Sequence, residues 1–133
     1  MKPFSLVLKL TSLVFFAVAS VHLLLGLGAD QLLGAVVPAA ALNEPSLDSQ
    51  NRFYGVSFAF YGVALFICSR DLERFRPILE AAFLVFFLAG CARLVAWGLR
   101  GAPAPLVIAL MGAELVLPPV LYAWLRSALR PRT

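Results

Sequence analysis

The sequence predicts an all-α integral membrane protein built as a four-helix bundle, and three observations support this prediction. Hydrophobic residues make up 62% of the 133 residues and charged residues only 14%, whereas soluble domains are roughly 45–50% apolar. The apolar residues gather into four blocks, at about 4–28, 49–68, 78–99 and 105–125. The blocks lack the two-residue alternation of strands, and a bilayer admits only helices or closed barrels. A soluble globule is excluded, and residues 1–133 are expected to form a single domain.

The first, third and fourth blocks reach spanning length, because a bilayer core of about 30 Å requires about 20 helical residues. The first block also has the basic start of a secretory signal, but its apolar run is longer than roughly 7–15 residues, so we expect it to be retained as a helix. The second block is short from Phe53 to Cys68. We therefore expect its helix to begin near position 49, with an N-cap among Ser46, Asp48 and Ser49.

The connection between the first two blocks, residues 29–50, is the only long one. It contains an apolar run over 32–42, interrupted by Pro38, and then becomes acidic. This run is too short to span a membrane. We expect it either to rest at the interface as a connector or to fold over the outer mouth of the bundle as a lid.

The basic residues predict the orientation of the bundle. One side collects both ends of the chain and the connection between the second and third helices, with Lys2, Lys9, Arg70, Arg74, Arg76, Arg126, Arg130 and Arg132. The other side has Arg52 and Arg100 together with acidic residues. The positive-inside rule then places both termini in the cytoplasm. No basic surface remains for a nucleic acid once the helices are inserted, so the net charge of +4 is interpreted as an orientation signal.

Ionisable residues inside the predicted helices mark a candidate site. At about 1.5 Å per residue from the external helix ends, His22 lies about 8 Å deep, Arg93 about 9 Å and Glu114 about 12 Å, with Arg52 at the mouth. A charge at a helix centre costs about 2.5–3.5 kcal/mol, so Arg93 and Glu114 are expected to face inward and to meet each other or a water-filled cavity. His22 is the only histidine, and no metal site or cofactor is expected.

Two neighbouring patterns add to this site. On the second helix, polar residues recur at spacings of three, three and four and are expected on one inward stripe, beside a stripe of small residues that admits a second helix: Asn51, Tyr54, Ser57 and Tyr61, with Gly55, Ala59 and Gly62. On the fourth helix, Pro118 and Pro119 remove the donors for two backbone carbonyls beside Glu114. The predicted outer-leaflet pocket comprises His22, Arg52, Tyr54, Tyr61, Arg93 and Glu114.

Four segments together resemble a bacterial four-helix membrane family of unknown function: Asn51-Arg52-Phe53-Tyr54-Gly55, Arg93-Leu94, Gly101-x-Pro103 and Glu114-Leu115-Val116-Leu117-Pro118. The resemblance covers most of the chain and implies that Arg52, Tyr54, Arg93 and Glu114 are the recurring polar positions. Ala92 departs from the family pattern, which has glycine before the third-helix arginine. The resemblance implies a bacterial cytoplasmic membrane protein and no known substrate.

Two classes of function remain open, and binding is favoured over catalysis. In the first, the pocket binds a lipid head group or a small polar or anionic amphiphile, or docks a helix of a second copy or of another membrane protein. In the alternative, an intramembrane enzyme uses Glu114 or His22 to transfer a proton on an apolar substrate while Arg93 steadies negative charge. The Arg93 and Glu114 pair also has a purely structural interpretation, as a clamp between helices.

Overall fold

The computed structural model describes residues Lys2 to Leu129, and within that range every regular element is a helix. The six helices are α1 (Lys2–Leu25), α2 (Gly28–Leu32), α3 (Ala39–Leu42), α4 (Pro45–Cys68), α5 (Arg76–Arg100) and α6 (Pro105–Ala128). Four of them, α1, α4, α5 and α6, are long and apolar enough to cross a membrane. The predicted all-α class with four candidate spans is confirmed. Arg130 and Arg132, which entered the orientation argument, lie outside the described residues.

The chain divides into two compact units. The α1–α4 unit is Val7–Ile67, and the α5–α6 unit contains the start of α1 up to Leu6 and the chain from Cys68 onward. Within the second unit, the start of α1 is fixed by two contacts. The Ser5 hydroxyl donates to the Ser69 carbonyl, and the Phe4 ring meets the Trp124 ring edge-on at 5.1 Å. The single domain over 1–133 stays a prediction.

Helix α4 begins at Pro45, earlier than the predicted start at 49. The reason is a cap that the sequence argument missed: the Glu44 carboxylate accepts a hydrogen bond of 2.7 Å from the Leu47 N–H. Backbone donors at Leu47 and Ser46 hold the pKa of this carboxyl below its ordinary value. Pro45 then occupies the first helical position, where its missing N–H costs nothing. The expected caps Ser46, Asp48 and Ser49 lie inside the helix instead.

Small residues on α4 bring it close to α1, as the sequence predicted. A Cβ placed on Gly55 would lie 2.9 Å from the Leu23 Cγ, and one on Gly62 would lie 2.9 Å from the Phe16 ring. Both distances are shorter than ordinary van der Waals contact. A larger side chain at Gly55 would also meet the Ala19 carbonyl oxygen at 3.1 Å and push the two helices apart, whereas one at Gly62 would require the Phe16 ring to move.

The connection over 29–50 is more structured than an extended loop, because it contains α2 and α3. It starts where α1 ends, at Gly26, whose φ of 55° lies in the left-handed region that favours glycine. The Gly26 N–H donates to the His22 carbonyl at 2.9 Å. This is the glycine termination common at helix C-termini.

Large apolar side chains cover the outside of the four long helices. Leu24 on α1, Phe60 on α4 and Leu99 on α5 are among the most exposed. Exposure of so many large apolar side chains is typical of a membrane or protein interface, since soluble monomers rarely expose large apolar patches. Together with the helix lengths, it fits helices that face lipid.

Candidate functional site

Arg93 and Glu114 meet across the α5–α6 interface, which is one of the two arrangements expected for them. The Arg93 Nε donates to the Glu114 Oε2 at 2.8 Å. The Glu114 side chain is 18% exposed and the Arg93 side chain 39% exposed. The carboxylate is therefore the more buried member, and the guanidinium reaches toward the surface of the protein.

This ion pair uses only part of its hydrogen-bonding capacity. An arginine carries five N–H donors, of which Nε supplies one. Within Lys2–Leu129, neither terminal nitrogen of Arg93 makes a hydrogen bond, and the same holds for the Glu114 Oε1. The pair thus presents four N–H donors and one carboxylate oxygen to any group that approaches it.

Helices α5 and α6 approach closely at Gly90, beside this pair. A Cβ at Gly90 would lie 2.9 Å from the Leu115 Cγ and 3.1 Å from the Glu114 Cβ. A methyl group at this position would require the Leu115 side chain to move and α6 to shift slightly. The close contact positions Glu114 within reach of Arg93, which lies one helical turn beyond Gly90.

Arg52 is anchored in the α1–α4 unit by two partners. Its Nε donates to the Asp48 Oδ2 at 2.7 Å, and its Nη1 donates to the Leu23 carbonyl. Leu23 lies in the last turn of α1, where carbonyls lack partners within the helix. The Arg52 side chain therefore caps the C-terminus of α1. The i,i+4 spacing of Asp48 and Arg52 was a sequence signal for this ion pair.

The same unit contains a buried polar contact that the sequence analysis did not anticipate. The Asn51 Nδ2 donates to the Asp30 Oδ2 at 2.6 Å, which links α4 to α2. Asn51 is buried, as the inward stripe predicted. Its Oδ1 has no hydrogen-bond partner among the described residues. No spacing rule connects positions 30 and 51, because they come from different helices.

His22 is buried within the α1–α4 unit. Its Nδ1 bonds the Val18 carbonyl one turn earlier at 2.9 Å. A carbonyl only accepts, so this nitrogen carries a proton and donates. The ring also packs against Phe58 at 5.1 Å. These contacts are those of a packed core histidine.

The two candidate tyrosines differ in their surroundings. Tyr54 is exposed, and its described contact is with the neighbouring Phe53 ring at 6.3 Å. Tyr61 is half-buried and lies 5.9 Å from the Phe15 ring on α1. Tyr54 thus departs from the inward stripe, while Tyr61 packs between α4 and α1.

The six predicted site residues therefore fall into two groups by unit. The α5–α6 unit holds Arg93 and Glu114, which are bonded to each other. His22, Arg52, Tyr54 and Tyr61 belong to the α1–α4 unit, where His22, Arg52 and Tyr54 share no hydrogen bond or ring contact within the described residues. No cluster of three or more metal-ligating side chains occurs between Lys2 and Leu129.

The fold and the polar pair define the class: this is a multi-pass membrane protein whose third long helix is ion-paired to its fourth. The model of one family, described as Domain of unknown function (DUF4345), matches residues 3–125. The chain belongs to this family, in agreement with the resemblance noted from its motifs. No curated protein and no solved structure matches the chain.

Proposed function

We propose that this protein binds the polar head group of an amphiphile, with Arg93 and Glu114 as the centre of the site. The amphiphile is a membrane lipid or a small molecule with an apolar body. It enters laterally from the predicted external leaflet, because Arg93 lies toward the Arg100 end of α5. The site would operate in a bacterial cytoplasmic membrane, which the family resemblance and the asymmetry of basic residues support.

One observation carries this proposal: the ion pair is bonded through a single nitrogen. An ion pair that serves only to join two helices is most stable when all the N–H donors along the edges of the guanidinium are bonded. Donors left unpaired in an apolar environment are costly. Arg93 instead keeps both terminal nitrogens open while 39% of its side chain is exposed. An oxygen-rich group at this position would satisfy those donors.

The chemistry of the open atoms narrows the class of head group. The terminal nitrogens of Arg93 suit a phosphate, sulfate or carboxylate, which accept paired hydrogen bonds from a guanidinium. The free Glu114 Oε1 suits a hydroxyl or an ammonium. A head group that carries both an anionic oxygen and a hydroxyl or amine matches the pair better than a simple anion does.

The proton-transfer alternative receives no comparable support. His22 has its Nδ1 engaged by the Val18 carbonyl, and Glu114 has one oxygen engaged by Arg93. Binding is therefore the function that the geometry supports best.

Lipid retention tests the proposal. The protein is purified in mild detergent, and bound lipids and metabolites are identified by mass spectrometry for the wild type and for the double variant Arg93→Gln/Glu114→Gln. The double change removes both charges together, so it leaves no unpaired ion and should fold. Arg100→Gln is the control, because it removes one exposed cation near the end of the same helix.

The proposal predicts a lipid or metabolite enriched above its share in the membrane, lost in the double variant and retained in the control. Bulk lipid composition in all three proteins would contradict it. A dimer or a co-purified membrane protein that disappears only in the double variant would also contradict it. In that case the open donors bind a partner helix.

A further inference from the structure

A second feature of the α5–α6 unit lies toward the opposite end of the helices. It is a partly open groove with a volume of about 460 Å³ between α5 and α6. This volume lies within the roughly 300–1,000 Å³ of ligand-binding clefts. Its lining is apolar apart from Glu80 and Tyr122, and the apolar lining residues include Phe83, Phe87, Pro118 and Pro119.

Two consecutive prolines of α6 line the groove. Pro118 and Pro119 present compact rings at positions where α6 elsewhere carries leucine or valine. Phe83 and Phe87 of α5 line the same groove. The result is an apolar cleft with stiff walls, which suits a flexible hydrocarbon chain.

Two arginines stand at the polar end of the groove, each bonded to a lining residue. The Arg76 Nε donates to the Glu80 Oε1 at 2.8 Å. The Arg126 Nη1 donates to the Tyr122 hydroxyl at 3.0 Å. Arg126 makes no ion pair with a carboxylate among the described residues, so two cations and one anion leave this end with a formal charge of +1. The polar end is therefore complementary to an anionic group.

The distance from Arg76 to the far end of the groove matches one leaflet. From Arg76 to Phe87 is eleven residues, which is about 16 Å at about 1.5 Å per residue. Half of a hydrocarbon core of about 30 Å is about 15 Å. A chain held at the arginines would thus follow the groove to about the middle of the membrane.

We propose that this groove is a binding site for an anionic phospholipid of the predicted cytoplasmic leaflet, with one acyl chain along Phe83 and Phe87 and the phosphate at Arg126 and Arg76. The cytoplasmic leaflet attracts basic residues near the membrane surface because it carries anionic lipids. The site is separate from the Arg93 and Glu114 pair and does not depend on the function proposed for it.

Native mass spectrometry tests this site with defined lipids. The protein is exchanged into detergent micelles that contain equal amounts of phosphatidylglycerol and phosphatidylcholine with identical acyl chains, and bound lipids are counted. Ala81→Phe fills the groove from an exposed lining position. Ala89→Phe is its matched control, because Ala89 is exposed on the same helix away from the groove. Each variant is also made in the Arg93→Gln/Glu114→Gln background, so that lipid held at that pair does not contribute.

A second pair of variants tests the charge. Arg126→Gln should lower the ratio of bound phosphatidylglycerol to phosphatidylcholine about fivefold, which corresponds to about 1 kcal/mol per cation near an anionic group. Arg74→Gln, on the same side but away from the lining, should change the ratio less than twofold. Thermal unfolding of each variant confirms that it is folded.

The groove site requires that Ala81→Phe lower the retention of both lipids several-fold while Ala89→Phe does not. Equal retention by these two variants would overturn it, because the groove would then hold no chain. Equal effects of Arg126→Gln and Arg74→Gln would overturn the phosphate position, because attraction would then be diffuse.

Discussion

Removal of one member of the Arg93 and Glu114 pair should destabilise the protein measurably. Glu114→Gln leaves the Arg93 cation without its carboxylate. Arg93 lies seven residues from the end of α5 at Arg100, which is about 10 Å along the helix. The side chain is partly exposed and can extend toward the membrane surface. We therefore expect a loss of about 1–2 kcal/mol in the free energy of unfolding, below the roughly 2.5–3.5 kcal/mol for a charge at a helix centre.

The double variant Arg93→Gln/Glu114→Gln should recover most of this loss, because no charge is then left unpaired. The difference between the double loss and the sum of the single losses is the coupling energy of the pair. If each single change costs about 1–2 kcal/mol and the double change costs little, the magnitude of the coupling energy approaches the sum of the two single losses, about 2–4 kcal/mol.

A second ion pair in the same unit provides the control. Arg76 and Glu80 also meet through Nε and a carboxylate oxygen at 2.8 Å, with side-chain exposures of 41% and 31%. Atoms and distance are the same as in the Arg93 and Glu114 pair, but both residues lie on one helix near its end. Such i,i+4 pairs contribute about 0.3–0.5 kcal/mol. Their coupling energy should be clearly smaller.

The assay is reversible unfolding in mixed detergent micelles, followed by circular dichroism for the wild type, the four single variants and the two double variants. The two cycles are compared under one set of conditions. The reasoning would be refuted if losses at Arg93 and Glu114 were simply additive, or if their coupling energy did not exceed that of the control pair.

The remaining predictions concern backbone, pH and orientation. Gly26→Ala should cost about 1–3 kcal/mol, because it combines a φ of 55° with a Cβ that would overlap a carboxylate oxygen of Asp48; Gly98→Ala, which meets no atom within 4 Å, should not destabilise in the same thermal scan. The pKa of Glu44 is lowered by backbone donors, so its cap should be intact near neutral pH and weaken as the pH falls below roughly 4. Amide exchange in the first turn of α4 should detect this change, and Glu44→Gln should abolish it. Reporter fusions within residues 70–76 and after the last residue should both be cytoplasmic; an external signal from either would refute the predicted orientation.

The long helices were predictable because a long apolar run bounded by charges or prolines is typical of a membrane-spanning helix and of few other structures. The sequence limits of α5 and α6 agree with the structure to within about three residues. The start of α4 was not predicted correctly, because a glutamate N-cap lacks the short polar side chain on which capping rules depend. The short helices α2 and α3 were missed because four or five residues carry no reliable periodicity.

The candidate site was predictable only in part. The meeting of Arg93 and Glu114 followed from the cost of isolated charges in lipid, which leaves few arrangements for two such residues at similar depth. The link from Asp30 to Asn51 and the bond from Arg52 to a carbonyl of α1 depend on how separate helices pack. The prolines of α6 were recognised as donors lost from a helix, but the groove beside them depends on the opposing phenylalanines of α5.

The close contact at Gly90 limits the movement of bound molecules along the α5–α6 interface. The two helices are in direct contact at this position, because a Cβ there would press on Leu115 and Glu114. A hydrocarbon chain, whose narrowest unit is a methylene, therefore has no passage between the helices at this level. We therefore expect a molecule bound beside Arg93 and a chain bound in the groove at Phe83 to occupy two distinct sites, one on each side of this contact.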